Sequence, residues 1–397
     1  MDKKKAIFDK VAYTSFYAGI IIEVLLVIID KSAYMNPVEG QIFRLTFLLF
    51  LLKVCLTKYT LKEYFTIFLF GVLGVISYFA TGRNEVLRLV IMIAACKNAD
   101  MKRCMKMIFY LTLLGCVCIV LLSLTGVYGT VSLTQEYGRG GIETRYVLGM
   151  GHPNALHCMV WALILLGLYL YAEQMKWYSF IFLLFINYFF FKLTNSKTSF
   201  LVTCFTIVLA ILLVYVKSVT FKRLCVIAGY LAAAFSVGIS ILIAANAYRV
   251  YDYVWNADRT KKTLFFVKLN ELFNGRIRIL VENDGFEGTA GTWSLFSRPE
   301  NNYFFDMGWV RLFYWFGIVP AGIFLLAVLC LMIYCYKKNA YMAALVIIST
   351  SVYSIIEAHV FSDYLARNYV FFLLGIYWWQ MFPVSGKDKV KGMDERR

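Results

Sequence analysis

The chain has 397 residues, 61% of them hydrophobic and only 16% charged, with a formal net charge of +16. Soluble domains run near half apolar and about a quarter charged, so a single soluble core is excluded. The apolar residues come in runs of about twenty, the length that crosses roughly 30 Å of hydrocarbon, and the lysines and arginines flank those runs. Retention of positive charge on the cytoplasmic side accounts for them better than a nucleic-acid partner does.

The N-terminus is basic through Lys10, and the first apolar run carries Glu23 and ends at Asp30-Lys31 with no small-residue cleavage site after it. It reads as a first span rather than a removed signal peptide. The runs between charge clusters predict spans at 11–30, 41–57, 64–81, 84–97, 105–126, 152–173, 177–194, 198–216, 224–245, 308–335, 341–360 and 364–382. The expected architecture is therefore all-α: one integral membrane domain, 1–397, with about twelve transmembrane helices. The span at 84–97 is short and carries Arg88; were it re-entrant, every later orientation would invert.

Charge supports twelve passes. The predicted inner segments hold Lys53, Lys58 and Lys62, then Lys97 to Lys106, Lys217 to Arg223, Lys337-Lys338 and Lys387 to Arg397, while short outer loops hold single charges such as Lys31 and Arg83. Both termini are then cytoplasmic. Two outer loops are long, 127–151 and 246–307, the second between helices nine and ten. Loops of that length are functional or disordered, and 246–307 is rich in aromatics. Its stretch 259–273 spaces Leu264, Lys268 and Leu272 like an amphipathic helix lying on a membrane surface. The ten cysteines form no CxxC pair and none lies in that loop, so neither a disulfide framework nor a zinc site is read. No Walker-type or dinucleotide-binding glycine motif occurs.

Five groups on the predicted outer face carry chemistry. Gly149-Met150-Gly151-His152-Pro153-Asn154 opens the sixth span, with Arg139 and Arg145 before it in a glycine-rich stretch. Proline suits a first helical turn, so His152 is read as a cap or as a catalytic residue, and His157, one turn on, as structural. Thr194-Asn195-Ser196-Lys197-Thr198-Ser199 forms a tight turn whose lysine either snorkels or binds phosphate. Asn274-Gly275-Arg276-Ile277-Arg278 presents guanidinium groups to phosphate oxygens or forms a basic patch on lipid headgroups. Glu300-Asn301-Asn302-Tyr303, followed by Asp306, supplies a carboxylate that could take a proton from a hydroxyl. Glu357, His359, Asp363 and Arg367 bracket the last outer turn, either paired with one another or functional.

The order of these motifs resembles the Wzy-type polysaccharide polymerases, relatives of the O-antigen ligases. It runs Gly-x-His-Pro-Asn, Ser-Lys-Thr, a long outer loop with Asn-Gly-Arg, then Glu-Asn-Asn-Tyr-Phe and Trp-Phe-Gly-Ile. The likeness covers roughly 127–320 with short motifs, and the remainder by span count. It implies a glycosyltransferase of the bacterial cell membrane that joins undecaprenyl-pyrophosphate-linked oligosaccharide repeats into capsule, exopolysaccharide or O-antigen. The family uses no metal, cofactor or nucleotide sugar and binds no nucleic acid; a flippase and a chain-length regulator are its implied partners. Carried over, Arg276 and Lys197, with Arg139, Arg145 and Arg278, would hold the pyrophosphate, and Glu300 or His152 would act as the base. Lysine replaces the family's arginine in the Ser-Lys-Thr turn and loses the bidentate fork. Ligases carry a His-Asn pair near the end of the loop, where this chain has Glu300-Asn301-Asn302, which favours polymerase over ligase. A flippase is the rival from another class, but it would show related halves, and no internal repeat is evident.

Overall fold

The computed structural model describes residues 2–137, 141–282, 286–359 and 361–381. The chain is an all-α membrane bundle. Its helices are α1 (Asp2–Lys31), α2 (Glu39–Leu56), α3 (Leu61–Thr81), α4 (Glu85–Ala95) and α5 (Met101–Leu124). A two-stranded hairpin follows, β1 (Ser132–Glu136) and β2 (Ile142–Tyr146), then α6 (Pro153–Tyr171), α7 (Trp177–Thr194), α8 (Lys197–Tyr215) and α9 (Val219–Asn246). Short helices α10 (Tyr248–Trp255), α11 (Lys261–Leu272) and α12 (Arg276–Ile279) lead to α13 (Gly308–Phe316), α14 (Ile318–Lys337), α15 (Tyr341–Tyr353) and α16 (Tyr369–Met381). Among the described residues eight helices are long and apolar enough to cross a membrane: α1, α3, α5 to α9 and α14.

The outer helices turn large apolar side chains outward, such as Phe65, Phe68 and Phe79 on α3 and Phe182 and Phe185 on α7. Faces of that kind, on helices long enough to cross a membrane, suit hydrocarbon. Of the eight, α6 is the one most enclosed by its neighbours: Leu156, Met159, Trp161, Leu165 and Leu168 are all buried.

The short α4 is held by charge as well as by packing. Arg88 Nη2 lies 2.9 Å from Glu23 Oε1 on α1, and both side chains are buried. Thr46 donates to the same oxygen at 2.6 Å, while Arg88 Nη1 donates to the Asp363 carbonyl at 2.8 Å. At the far end Lys97 pairs with Glu63 at 2.6 Å and donates to the Lys58 carbonyl at 3.0 Å. Thus α4 runs antiparallel to α3 and returns the chain to the end at which α3 began.

Three segments depart from the expected pattern. The run 308–335 is two helices broken at Gly317, whose backbone sits at φ 92, ψ 173, a region open only to glycine. A Cβ there would lie 2.7 Å from backbone atoms of Leu295, Phe296 and Ser297. That contact is the reason for the break: Ile318 N and Val319 N donate to Ser294 O and Leu295 O, stapling the long loop onto the helix junction. The run 341–360 is helical only to Tyr353, and α16 starts at Tyr369, leaving a folded connection at 354–368. The loop at 127–151 holds the β-hairpin, where no strand was expected; residues 138–140 at its tip lie outside the described residues, as does the basic tail 387–397.

In the long loop α11 covers most of the expected amphipathic stretch. It buries Thr263 and Phe266 and leaves Leu264, Phe265 and Leu272 exposed beside Lys261, Lys262 and Lys268.

Candidate functional site

The Gly-rich segment before α6 is pulled against the end of α1. Ser32 bridges Met150, Ala33 N donates to Gly149 O at 3.1 Å, and Gly151 N donates to Lys31 O at 3.0 Å. The fit needs bare backbone: a Cβ on Gly149 (φ 81) would sit 2.9 Å from Ile119 O. This docking sets His152 as the N-cap of α6 with Pro153 at the first helical position. Its Nδ1 accepts the Asn154 N–H at 3.1 Å, so in the neutral ring the proton is on Nε2. Burial lowers the His152 pKa, against the pull of the Asp306 carboxylate, and Arg145 and Arg276 lower it further. In this tautomer His152 presents its Nε2–H as a hydrogen-bond donor, while Nδ1 is taken by the Asn154 N–H.

Alternation along β2 puts Glu143 and Arg145 on one face. Arg145 Nε and Nη2 donate to Glu143 Oε2 at 2.9 and 2.7 Å, and its guanidinium lies 3.8 Å from the centre of the Tyr137 ring. The same carboxylate oxygen accepts from Asn195 Nδ2 at 3.2 Å, which ties the hairpin to the turn between α7 and α8.

That turn is built on Asn195 in the left-handed region, at φ 50. Thr194 is braced from below by His157, whose two ring nitrogens engage Thr194 Oγ1 at 3.0 Å and Asn187 Oδ1 at 2.9 Å. His157 is thus part of a buried polar brace. Ser196 caps α8 without a side-chain bond to the first-turn N–H groups, its Oγ pairing instead with Ser199 Oγ at 3.0 Å, so those N–H groups are left for water or an anion. Lys197 opens this turn exposed and has no ion-pair partner among the described residues.

Asn274 and Gly275 both have positive φ, 52 and 81, and turn the chain sharply into α12. The two arginines then part company. Arg276 is buried and donates through Nη2 to Glu357 Oε1 at 2.9 Å, with Asp306 Oδ2 at 3.4 Å. Arg278 is exposed, pairs with Glu282 at 3.3 Å and leans on the Trp255 ring. Glu357 lies in the 354–368 connection, outside the helices. Burial lifts its carboxyl well above the usual carboxylate range, to about 7, with Asp306 adding to the rise and Arg276 opposing it.

Together these segments enclose a polar cavity of about 250 Å³. Arg145, His152, Lys197 and Arg276 line it, with Asn154, Ser196 and Thr198 at the starts of α6 and α8 and Glu136, Asp306 and Glu357 as its carboxylates. Glu300 is exposed and Arg278 faces away; neither lines the cavity, and Arg139 lies outside the described residues. The carboxylate beside the cations is instead Glu357, brought from the last outer turn, with Asp306. Glu357 carried a signal in the sequence, an acid within an apolar run, but its pairing with Arg276, 81 positions away, did not.

The arrangement offers two helix N-termini, three cations and a Nε2–H to an anion, and beside them a buried carboxyl able to take up a proton. A larger cavity of about 620 Å³ between α9 and α14 is lined by apolar chains and tyrosines and offers no such chemistry. Among the described residues no group of three or more His, Cys, Asp or Glu comes together to hold a metal ion. No family model, no curated protein and no solved structure matches this chain.

Proposed function

We propose that the chain is a polysaccharide polymerase of the bacterial cell membrane, crossing it twelve times with both termini in the cytoplasm, and that the polar cavity opens on the outer face. One observation carries this reading. The Gly-x-His-Pro-Asn, Ser-Lys-Thr and Asn-Gly-Arg motifs, far apart in sequence, meet in one cavity that also holds a buried carboxyl.

In the transfer, the bond between the anomeric carbon of the growing glycan and its lipid pyrophosphate breaks as a hydroxyl of the next lipid-linked repeat attacks. Arg276, Lys197 and the first-turn N–H groups of α8 stabilise the charge that develops on the departing pyrophosphate. His152 donates through Nε2 to the same oxygens. Glu357 takes the acceptor proton; its raised pKa makes it a stronger base than an ordinary carboxylate. Arg145, already committed to Glu143, positions the hairpin over the cavity.

The test is Arg276→Ala with surface glycan from the cells run on a gel. Polymerase loss leaves single repeat units on the surface. Long chains at normal protein level defeat the reading, and loss of all surface repeats points to a ligase or a flippase instead.

A further inference from the structure

Between α1, α5, α6 and the 354–368 connection lies a second, smaller cavity of about 20 Å³. The proposed transfer does not use it. About 10–15 Å³ of such space holds one water, so this volume takes a single small occupant. Its polar wall is made by Lys31, Thr112, Cys158, His359 and Arg367, and among the described residues no carboxylate lines it. Asp30 pairs with Lys31 at 2.7 Å from outside the cavity. Arg367 has no ion-pair partner among the described residues, and its Nε is buried without a hydrogen-bond partner. His359 is only 2% exposed; its Nε2 lies 3.3 Å from Cys158 Sγ, while its Nδ1 is buried with no partner.

The wall is therefore rich in donors and in positive charge and poor in acceptors. A water could satisfy His359 Nδ1 but would leave Arg367 facing the cavity without a counter-charge, since Asp30 answers Lys31 alone. A monatomic anion answers both. It accepts from the ammonium, the guanidinium and the Thr112 hydroxyl, and it selects the His359 tautomer protonated at Nδ1. Nε2 is then free to accept from the Cys158 thiol.

We propose that this cavity binds one halide ion, chloride in the cell, as a structural ion under the 354–368 connection. That connection carries Glu357 to Arg276: His359 N donates to the Glu357 carbonyl at 2.8 Å, and Arg311 Nη2 donates to the Ala358 and Phe361 carbonyls at 3.3 and 3.0 Å. Fixing His359 and Arg367 fixes the segment that presents the carboxyl. The proposal stands on this cavity alone and does not depend on the glycan-transfer reading.

Trp161 supplies a probe, since it lines the cavity, is only 2% exposed, and has its ring 5.0 Å from His359. Full-length protein purified in detergent is titrated with sodium iodide at constant ionic strength set with gluconate. A saturable quenching component is expected, competed by chloride and absent in Trp161→Phe. Arg367→Gln should raise the half-saturating iodide concentration at least tenfold. Arg276→Ala, in the other cavity, should leave it unchanged. Should Arg367→Gln fail to fold, the wild-type protein exchanged into bromide decides the matter by anomalous scattering. A peak between Lys31, His359 and Arg367 supports the site. Quenching that stays linear in iodide, with no bromide peak, means water only and overturns the proposal.

Discussion

Arg276 is shared by two carboxylates, and that arrangement determines how Glu357 should titrate. Its active form as a base is the ionised one, and its pKa is raised to about 7, so the polymerisation rate in vitro should rise with pH through about 7 and then level. Below that point the fall should approach about tenfold per pH unit. Glu357→Gln should remove this acid limb and lower the turnover at least ~100-fold, whereas Glu300→Gln, at an exposed position outside the cavity, should leave the profile in place. Asp306 contributes to the raised pKa, so Asp306→Asn should move the acid limb to lower pH; an upward shift would contradict the assignment. His152 combines a cap with a donor, and asparagine separates the two. His152→Asn keeps a good N-cap and should leave thermal stability within about 1 kcal/mol, yet lower turnover through loss of the Nε2–H. At this scale the sequence was half legible. It singled out His152 at a glycine-flanked helix start, Lys197 as a cation in a short outer turn, and Arg276 in a glycine turn that presents guanidinium groups. It could not choose between Arg276 and Arg278, because which of the two turns inward depends on the short α12 and the positive-φ residues ahead of it.

Elements in this protein are joined by backbone as well as by side chains, and two junctions give separate tests. Gly317 lets the long loop add hydrogen bonds across the break between α13 and α14. Gly317→Ala requires a conformation that alanine does not hold and places a Cβ 2.7 Å from three backbone atoms. The expected outcome is a drop in thermal unfolding temperature in detergent and easier proteolysis near 294–297; unchanged protection there would contradict the stapled loop. Arg88 makes the second junction. Removing one partner of a buried pair costs roughly 3–5 kcal/mol, so Arg88→Met should strongly destabilise the fold. Replacing both members, Glu23→Leu with Arg88→Met, should recover much of that loss, as scanning fluorimetry of the three proteins would read. Charge made this helix legible as a problem, since Arg88 sat in a short apolar run, but its answer on α1 lay 65 positions away. The hairpin was illegible for another reason. Its five-residue strands sit within a glycine-rich stretch read as loop, and the alternation of Glu143 and Arg145 is too brief to stand out from turn composition.

Across the whole molecule, the proposed span count and orientation rest on one geometric fact. It is that α4 turns the chain back, its end meeting Glu63 and Lys58 at the start of α3; the twelve-pass proposal counts α4 as a crossing, so that the passes on either side of it keep their alternation. The bundle end where α6 and α8 begin then also holds the 354–368 connection and the polar cavity, and the opposite end holds Lys58, Lys97 and the α14–α15 turn at Lys338. The helical membrane bundle was readable from hydropathy, because water-free hydrocarbon forces helices. What hydropathy could not show is that 308–335 and 341–360 break early, since apolar residues continue through Gly317 and past Tyr353. Orientation is tested by single cysteines introduced into a background in which the ten native thiols, none of them in a disulfide, are replaced. With the cavity on the outer face, Arg278→Cys and Leu272→Cys, both exposed positions of the long loop, should react with a membrane-impermeant maleimide in intact cells. Lys338→Cys and Lys58→Cys should react only after the membrane is opened. A re-entrant α4 makes a different prediction: Lys58→Cys stays protected while Lys338→Cys is labelled from outside. That outcome would place the 250 Å³ cavity in the cytoplasm, away from any outer-face pyrophosphate donor, and the transfer reading would fall with it.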